Sequence, residues 1–302
     1  MDTKLSGLVN CGNTCYINTV LQLLLHTYEL NDIIKGTNNI TKEWIDLREL
    51  LVSKQCTISP KRFLYFIFLI SKKENYFFKE YSQEDITEFL MFLIEQFHNS
   101  IIDEKIICNS PIKEIQNIYK DYSKIKKTFF SIQEIDIIDN DKSIKKIYDS
   151  NFILNLSIPN KENINMYDCL DHYTNDELLE GENSYYDEND KTHKEVIKKI
   201  IFKELPKIMV IALKRWNNGK KIKNIINVQT ELTMDKYSIG NNLVYELYGI
   251  GNHSGIQQGG HYTSFIKHNN IWVLMNDSQI STIPECKIAS PNNYLFFYRR
   301  NN

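Results

Sequence analysis

Apolar residues recur at helical spacing in the first third of the chain and at strand spacing in the last third. In TCYINTVLQLLL, residues 14–25, Val20, Leu21, Leu24 and Leu25 fall on one helical face behind Asn13 or Thr14, either able to cap a first turn. The pattern predicts a helix starting close to Cys15. Ser82-Gln-Glu-Asp85 has capping-box form, and Ile86, Phe89, Leu90, Leu93 and Phe97 continue it as an apolar stripe. Residues 15 to about 122 therefore read as helix-rich. From 128 to about 200, the β-like segments FFSIQEIDII and FILNLSI alternate with acidic turns. From 201 onward PKIMVIAL, LVYELYGIG, HYTSFIK, NIWVLMN and YLFFYRR are short, aromatic and β-branched, with turn residues between them. Helices first and strands later predict an α+β fold, not alternating βαβ units.

Composition narrows the function classes. The 302 residues are 42% hydrophobic, enough for a substantial core, and 25% charged with a net charge of -2. That balance implies no general attraction to nucleic acid or to an anionic membrane. The longest apolar run, FLYFIFLI at 63–70, is too short to span a bilayer, and Met1 is followed by Asp2 and Lys4 with no signal segment. Six cysteines, at 11, 15, 56, 108, 169 and 286, are scattered without a CxxC pair. They read as reduced thiols of a cytoplasmic or nuclear protein, with no metal site and no cofactor expected.

A thiol is a strong nucleophile only as thiolate, and a helix N-terminus favours the negative form. Cys15 is placed for this, whereas Cys11 lies in the preceding Gly-flanked loop and reads as a small loop hydrophobe. Nucleophilic catalysis also needs a base and a group that orients it. His261 follows Gly259 and Gly260 at the mouth of one predicted strand, and Asn276 and Asp277 end the next. Antiparallel pairing would set that polar pair beside the His261 ring. Alone, a cysteine of this kind is usually structural and a histidine usually satisfied; the combination carries the chemistry.

Five segments in order carry a resemblance. GLVNCGNTCYINTVLQLLL resembles the cysteine box of the ubiquitin-specific proteases, and GGHYTSFIK with WVLMNDSQIS and YLFFYRR resembles their histidine box. YSQEDITEFLMFLIE, IMVIALKRW and DHYTNDELLEGENSYY resemble intermediate segments of that family. The resemblance implies a papain-like α+β cysteine protease with a helical thumb (about 1–122), a finger-like β insertion (123–200) and a β palm (201–302). It implies hydrolysis after the ubiquitin tail, Leu-Arg-Leu-Arg-Gly-Gly, through an acyl-thioester on Cys15. His261 becomes the general base, Asn276 its orienting partner, Asp277 an adjacent source of charge and Asn10 the oxyanion donor. Gln83 and Asp85 match tail-binding positions, with capping back to Ser82 as the competing role of Asp85 and a turn-forming Asx bond that of Asn10. Gly259, Gly260 and Tyr262 would wall the channel for the Gly-Gly end. Trp216 is expected in the core or at the cleft, and Lys220 and Lys221 in a solvated turn. The implied partner is ubiquitin or a ubiquitinated protein, bound by a monomer. The alternatives are a deconjugase of another ubiquitin-like modifier and an inactive ubiquitin-binding relative. The family's fingers carry zinc on two CxxC pairs. Here those places read DIID, with Asp136 and Asp139, and DEND, with Asp187 and Asp190. Carboxylates do not replace thiolates in such a site, which leaves solvated acidic tips or, in principle, a hard cation such as calcium.

Overall fold

A helix that is apolar on every side must be surrounded, and α1 (Cys15–Leu25) is buried along its whole length. It forms the axis of the helical part. The other helices of this part are α2 (Tyr28–Ile33), α3 (Asn39–Ser53), α4 (Lys61–Lys73), α5 (Ile86–Asn99), α6 (Lys113–Tyr119) and α7 (Lys124–Phe129), of which α2 and α5 pack on α1. The computed structural model describes residues 4–76, 78–101 and 106–301. The Asn38 side chain and the N–H of Thr41 start α3 with a reciprocal capping box. The run 63–70 lies in α4, with Phe63, Leu64 and Ile67 inward and Tyr65 and Leu69 exposed. No helix of the described residues is long and apolar enough to cross a membrane. Two short strands, β1 (Gly7–Leu8) and β2 (Thr57–Ile58), pair in parallel and lock the segment before α1 against the helices. Helical structure continues to Phe129, past the expected limit near 122. The Ser123 hydroxyl accepts from Ile125 N–H (3.2 Å), and Ile125 and Phe129 bury one face of the extra turn.

β3 (Ser131–Asp139) and β4 (Lys142–Asn151) form a hairpin through Asn140 and Asp141, both at positive φ (46° and 60°), as a tight hairpin turn requires. The acidic tip there is a turn. β5 (Ile153–Ser157) departs from the expected finger-like insertion at 123–200. It pairs in parallel with a strand of the large sheet, because its Leu154 and Leu156 belong to that sheet's core. A further helix that periodicity had not marked, α8 (Met166–Thr174), starts at an Asn165–Asp168 capping box. β6 (Glu177–Leu179), the hairpin of β7 (Tyr185–Asp187) and β8 (Thr192–Lys194), and β9 (Val196–Glu204) complete the region expected to be finger-like. Its sheet runs β4-β3-β9-β6.

The remaining strands are β10 (Ile208–Lys214), β11 (Trp216–Asn217), β12 (Lys220–Lys221), β13 (Glu231–Thr233), β14 (Val244–Ile256), β15 (Gly259–His268), β16 (Ile271–Asn276), β17 (Gln279–Ile283) and β18 (Asn293–Arg300). The large sheet runs β17-β16-β15-β14-β18-β10-β5, with β13 beside β14. Both of its faces are covered, so its central strands are apolar at consecutive positions. Val210, Ala212, Leu295 and Phe297 join α1 and α5 in one core. Met209, Ile211, Leu213, Phe296 and Tyr298 join Met166 and Leu170 of α8 in the other. Sandwiched in this way, the sheet packs β15 and β16, next to its β17 edge, against α1.

Candidate active site

Three backbone bonds pin the loop before α1. Leu8 N–H donates to Asp277 O (2.9 Å), Gly7 N–H to Cys56 O (3.1 Å) and Val9 N–H to Ile58 O (2.9 Å). Gly7 lies so close to the β16–β17 turn that a Cβ there would meet Ser278 O at 2.6 Å. The Asn10 side chain then organises the turn. Its Oδ1 accepts from Gly12 N–H and Thr14 N–H (3.1 Å each), while its Nδ2 donates to Asp277 Oδ2 (3.0 Å). Asn10 therefore makes the Asx bond, and one of its two amide hydrogens is left over. Gly12 (φ +98°) packs against the Tyr81 ring, and Asn13 donates to Tyr81 O (2.7 Å).

Cys15 is the first residue of α1 and 3% exposed. The Thr14 side chain makes no capping bond, which leaves the helix end open toward the sulfur. The prediction of a lowered thiol pKa is overturned. Burial pushes it up; the N–H groups of Tyr262, Tyr16 and Cys15 work against burial, and the Asp277 charge adds to the rise. One helix end does not outweigh desolvation. Among the described residues no hydrogen bond joins Cys15 to His261, and in the free protein burial favours the thiol over the thiolate.

His261 stands at the start of β15 with its Nε2 2.6 Å from Asn276 Oδ1. The Asn276 oxygen can only accept, so Nε2 carries a proton, and Nδ1 is the nitrogen left to act as base. Asp277 Oδ2 lies 3.9 Å from the same Nε2. Of the two candidates, Asn276 makes the orienting bond. Asp277 sits at φ +51°, an uncommon conformation for a residue with a side chain, held from three directions by Leu8, Asn10 and Asn18. Asn18 donates to Asp277 Oδ1 (2.7 Å) and to Val9 O (3.3 Å), a role the sequence reading missed. Its signal was an amide side chain one helical turn after Cys15 on a helix otherwise mostly apolar.

Beside this centre lies a cleft of about 180 Å³ lined by Gln83, Asp85, His253, Gly259, Gly260 and Tyr262. The structure thus gathers all five expected binding residues. Gln83 meets the Gly260 backbone twice, its Nε2 donating to Gly260 O and its Oε1 accepting from Gly260 N–H (3.0 Å each). A Cβ on Gly260 would lie 2.4 Å from Ser254 O and 2.5 Å from His253 Nε2, so glycine is required there. Asp85, not Ser82, caps α5. Its Oδ1 accepts from Thr87 N–H (2.7 Å), Oδ2 accepts from Tyr294 (2.9 Å), and the Ser82 hydroxyl bonds Glu84 instead. Trp216 stacks edge-on against His253 at the cleft (5.7 Å). Lys221 corrects the solvated-turn expectation: half-buried, it donates to Asn292 Oδ1 (3.2 Å) and His253 O, and burial lowers its pKa. Glu88, missed in the sequence, stands in the first turn of α5 beside Asp85 and Glu84, and burial and then those two charges raise its pKa.

A family model described as ubiquitin carboxyl-terminal hydrolase matches residues 6–298. The chain belongs to this family. Its relatives include ubiquitin carboxyl-terminal hydrolase Usp2 of Drosophila melanogaster, 28% identical over 98% of this chain and 35% of that protein. Ubiquitin carboxyl-terminal hydrolase 2 of Homo sapiens is 26% identical over 97% and 55%, and ubiquitin carboxyl-terminal hydrolase 8 of Saccharomyces cerevisiae 30% identical over 97% and 70%. The chain thus spans about a third to a half of the length of the fly and human hydrolases. Among solved structures, a SAGA DUB module with Ubp8, Sgf11, Sus1 and Sgf73 bound to monoubiquitin matches with a TM-score of 0.79 at 26% identity, covering 100% of this chain and 70% of that one. The same module bound to ubiquitin aldehyde matches at 0.78 and 25%, covering 100% and 71%.

In this member of the hydrolase family the finger residues do not suit a metal. Lys194 takes up both carboxylates of its hairpin, Asp187 (2.7 Å) and Asp190, and Asp136 accepts from Ser143 (2.5 Å). Among the described residues no three His, Cys, Asp or Glu side chains are grouped to hold an ion. At the second hairpin the Lys194 ammonium stands between Asp187 and Asp190, where a cation would have to go. Cys11 is unpaired, with its thiol on Val9 O (3.6 Å).

Proposed function

We propose that the chain is a thiol-dependent deubiquitinase that hydrolyses the isopeptide or peptide bond after a Gly-Gly tail. The observation that carries this reading is that the Cys15 thiol at the start of α1 meets the backbone N–H of Tyr262, the residue after His261, whose ring is held by Asn276, beside a cleft that requires glycine at position 260. Burial, which favours the thiol over the thiolate, defines the first step. When substrate seats, His261 Nδ1 removes the Cys15 proton as sulfur attacks the glycine carbonyl carbon, and Asn276 keeps the imidazolium in place. The negative oxygen of the tetrahedral adduct is met by the Cys15 backbone N–H and by the spare amide hydrogen of Asn10, turned from the Asp277 bond. His261 then returns the proton to the leaving amine. A thioester remains, His261 activates water against it, and the tail leaves as a carboxylate with the thiol restored.

Tail recognition rests on charge and width. Glu84, Asp85 and Glu88 cluster at the cleft and the adjoining groove of about 720 Å³ between α5 and β5, and a basic tail relieves their mutual repulsion. The neighbours bound to monoubiquitin and ubiquitin aldehyde support ubiquitin as that tail's owner. We further propose that one chain suffices, since every group of the site comes from it, and that it works in the cytoplasm or nucleus, supported by six unpaired cysteines.

Incubation with ubiquitin carrying a C-terminal electrophile tests the reading. An adduct on Cys15, absent in Cys15→Ala, is expected. Labelling only by a probe built on another modifier would overturn ubiquitin as substrate, and labelling by neither would overturn the enzyme.

A further inference from the structure

At the end of the palm remote from Cys15 lies a concavity of about 530 Å³. Leu243, immediately before β14, lines it, whereas the far end of that 13-residue strand pairs with Gly259. The two places are thus separated by roughly 40 Å of strand. Four cations converge on the concavity from separate elements: Lys127 on α7, Lys203 on β9, Lys207 between β9 and β10, and Arg300 ending β18. Glu204 is the one carboxylate among its lining residues. Two of these cations are ion-paired, Lys127 with Glu204 and Lys203 with Glu134, so four basic residues face two carboxylates and a local positive excess remains in a chain whose net charge is -2.

The cations are held in position. Glu204 accepts from Lys127 (2.7 Å) and Tyr119 (2.6 Å), Lys203 pairs with Glu134 (3.1 Å), and Arg300 Nη1 donates to Leu205 O (3.2 Å). Ser238, also on the wall, has a buried Oγ with no hydrogen-bond partner among the described residues, and a rotamer change would offer it to a ligand. The volume falls within the range of small-ligand sites. Cations converging on one hollow suit a compact anion with several charges, whereas an extended acidic chain calls for a stripe. Lysines as point charges with an arginine fork suit phosphate groups.

We propose that this concavity binds a compact polyphosphate, free in solution or displayed as a phosphorylated lipid headgroup. Bound there, the anion would tie the finger strand β9 and α7 to the palm.

The test is calorimetric titration of the whole chain with inositol hexakisphosphate, beside co-sedimentation with vesicles containing phosphatidylinositol bisphosphate. Saturable binding in either arm is expected, and the arm that binds names the source. Lys203→Gln with Lys207→Gln should weaken it at least about tenfold, as loss of charge-assisted bonds does. Lys207→Gln alone should weaken it measurably should the double variant fail to fold. Cleavage of a ubiquitin substrate should stay unchanged. Lys72→Gln with Lys73→Gln on α4 controls for total charge. No saturable binding in either arm, equal weakening by the α4 variant, or binding of an oligoglutamate peptide alone would each overturn the proposal.

Discussion

Around Cys15, Asn10 and Asn18 reach Asp277 across 267 and 259 positions of sequence. In the finger, Lys194 meets Asp187 seven positions away and Lys146 meets Glu134 twelve away. Distant polar bonds form only after the apolar scaffold has brought their elements together, so they report on the whole fold. Here that scaffold is the fully buried α1 against the sheet. Local ion pairs in an exposed hairpin need no such scaffold and are screened by water and salt. The same types of polar group thus fix a reactive geometry in one place and shape a loop in the other. Substitutions in the two regions should therefore differ sharply.

The largest expected effect is at the nucleophile and base. Cys15→Ala or His261→Ala should lower kcat by on the order of 10⁶, since groups that act as a unit fail together. Asn276→Ala should cost roughly 10²–10⁴, because an untethered ring loses its tautomer and aim. If Asp277→Ala costs more in kcat while the fold persists, the orienting role moves to the carboxylate. Asn10→Ala should lower kcat about 10²–10³ with KM little changed, the pattern of a bond strengthened in the transition state. An increase in KM alone would reduce Asn10 to a turn former.

Stability supplies a smaller, pH-dependent contrast. His26 is buried under α1 against Gln22 O (2.9 Å), and desolvation lowers its pKa to about 4. The folded state therefore resists a proton that the unfolded chain accepts near pH 6.5. Stability from this residue is complete above about pH 6.5 and falls as the pH drops toward 4, by up to about 3 kcal/mol. His26→Gln should flatten that part of the curve, read by urea unfolding at a series of pH values. The smallest effect is in the finger: Lys194→Gln should leave the urea midpoint within scatter, and added zinc or calcium should not move it. A stoichiometric metal in the purified protein would break the comparison.

Elements whose burial is local were legible in the sequence. α1, β10, β15, β16 and β18 declare themselves by periodicity or by continuous apolar runs, and the motif segments located Cys15, His261 and Asn276. Properties set by distant neighbours were not. The parallel pairing of Ile153–Ser157 with β10 depends on a partner more than fifty positions away, and α8 is short, with only Met166, Cys169 and Leu170 buried. The paired Gln83–Gly260 hydrogen bonds and the Asn18–Asp277 hydrogen bond exist only in the folded chain. The Cys15 thiol is the clearest case. A helix start is visible in the sequence, but the desolvation that outweighs it is the sum of everything packed around the sulfur.

That balance can be read directly from the rate at which Cys15 in the free protein is alkylated by iodoacetamide as pH is varied, with the other cysteines replaced by serine. The rate should be low at pH 7 and rise toward a half-point above the ordinary thiol value of about 8.5. A plateau already reached at neutral pH would show a thiolate in the resting enzyme and contradict activation by His261 on substrate binding.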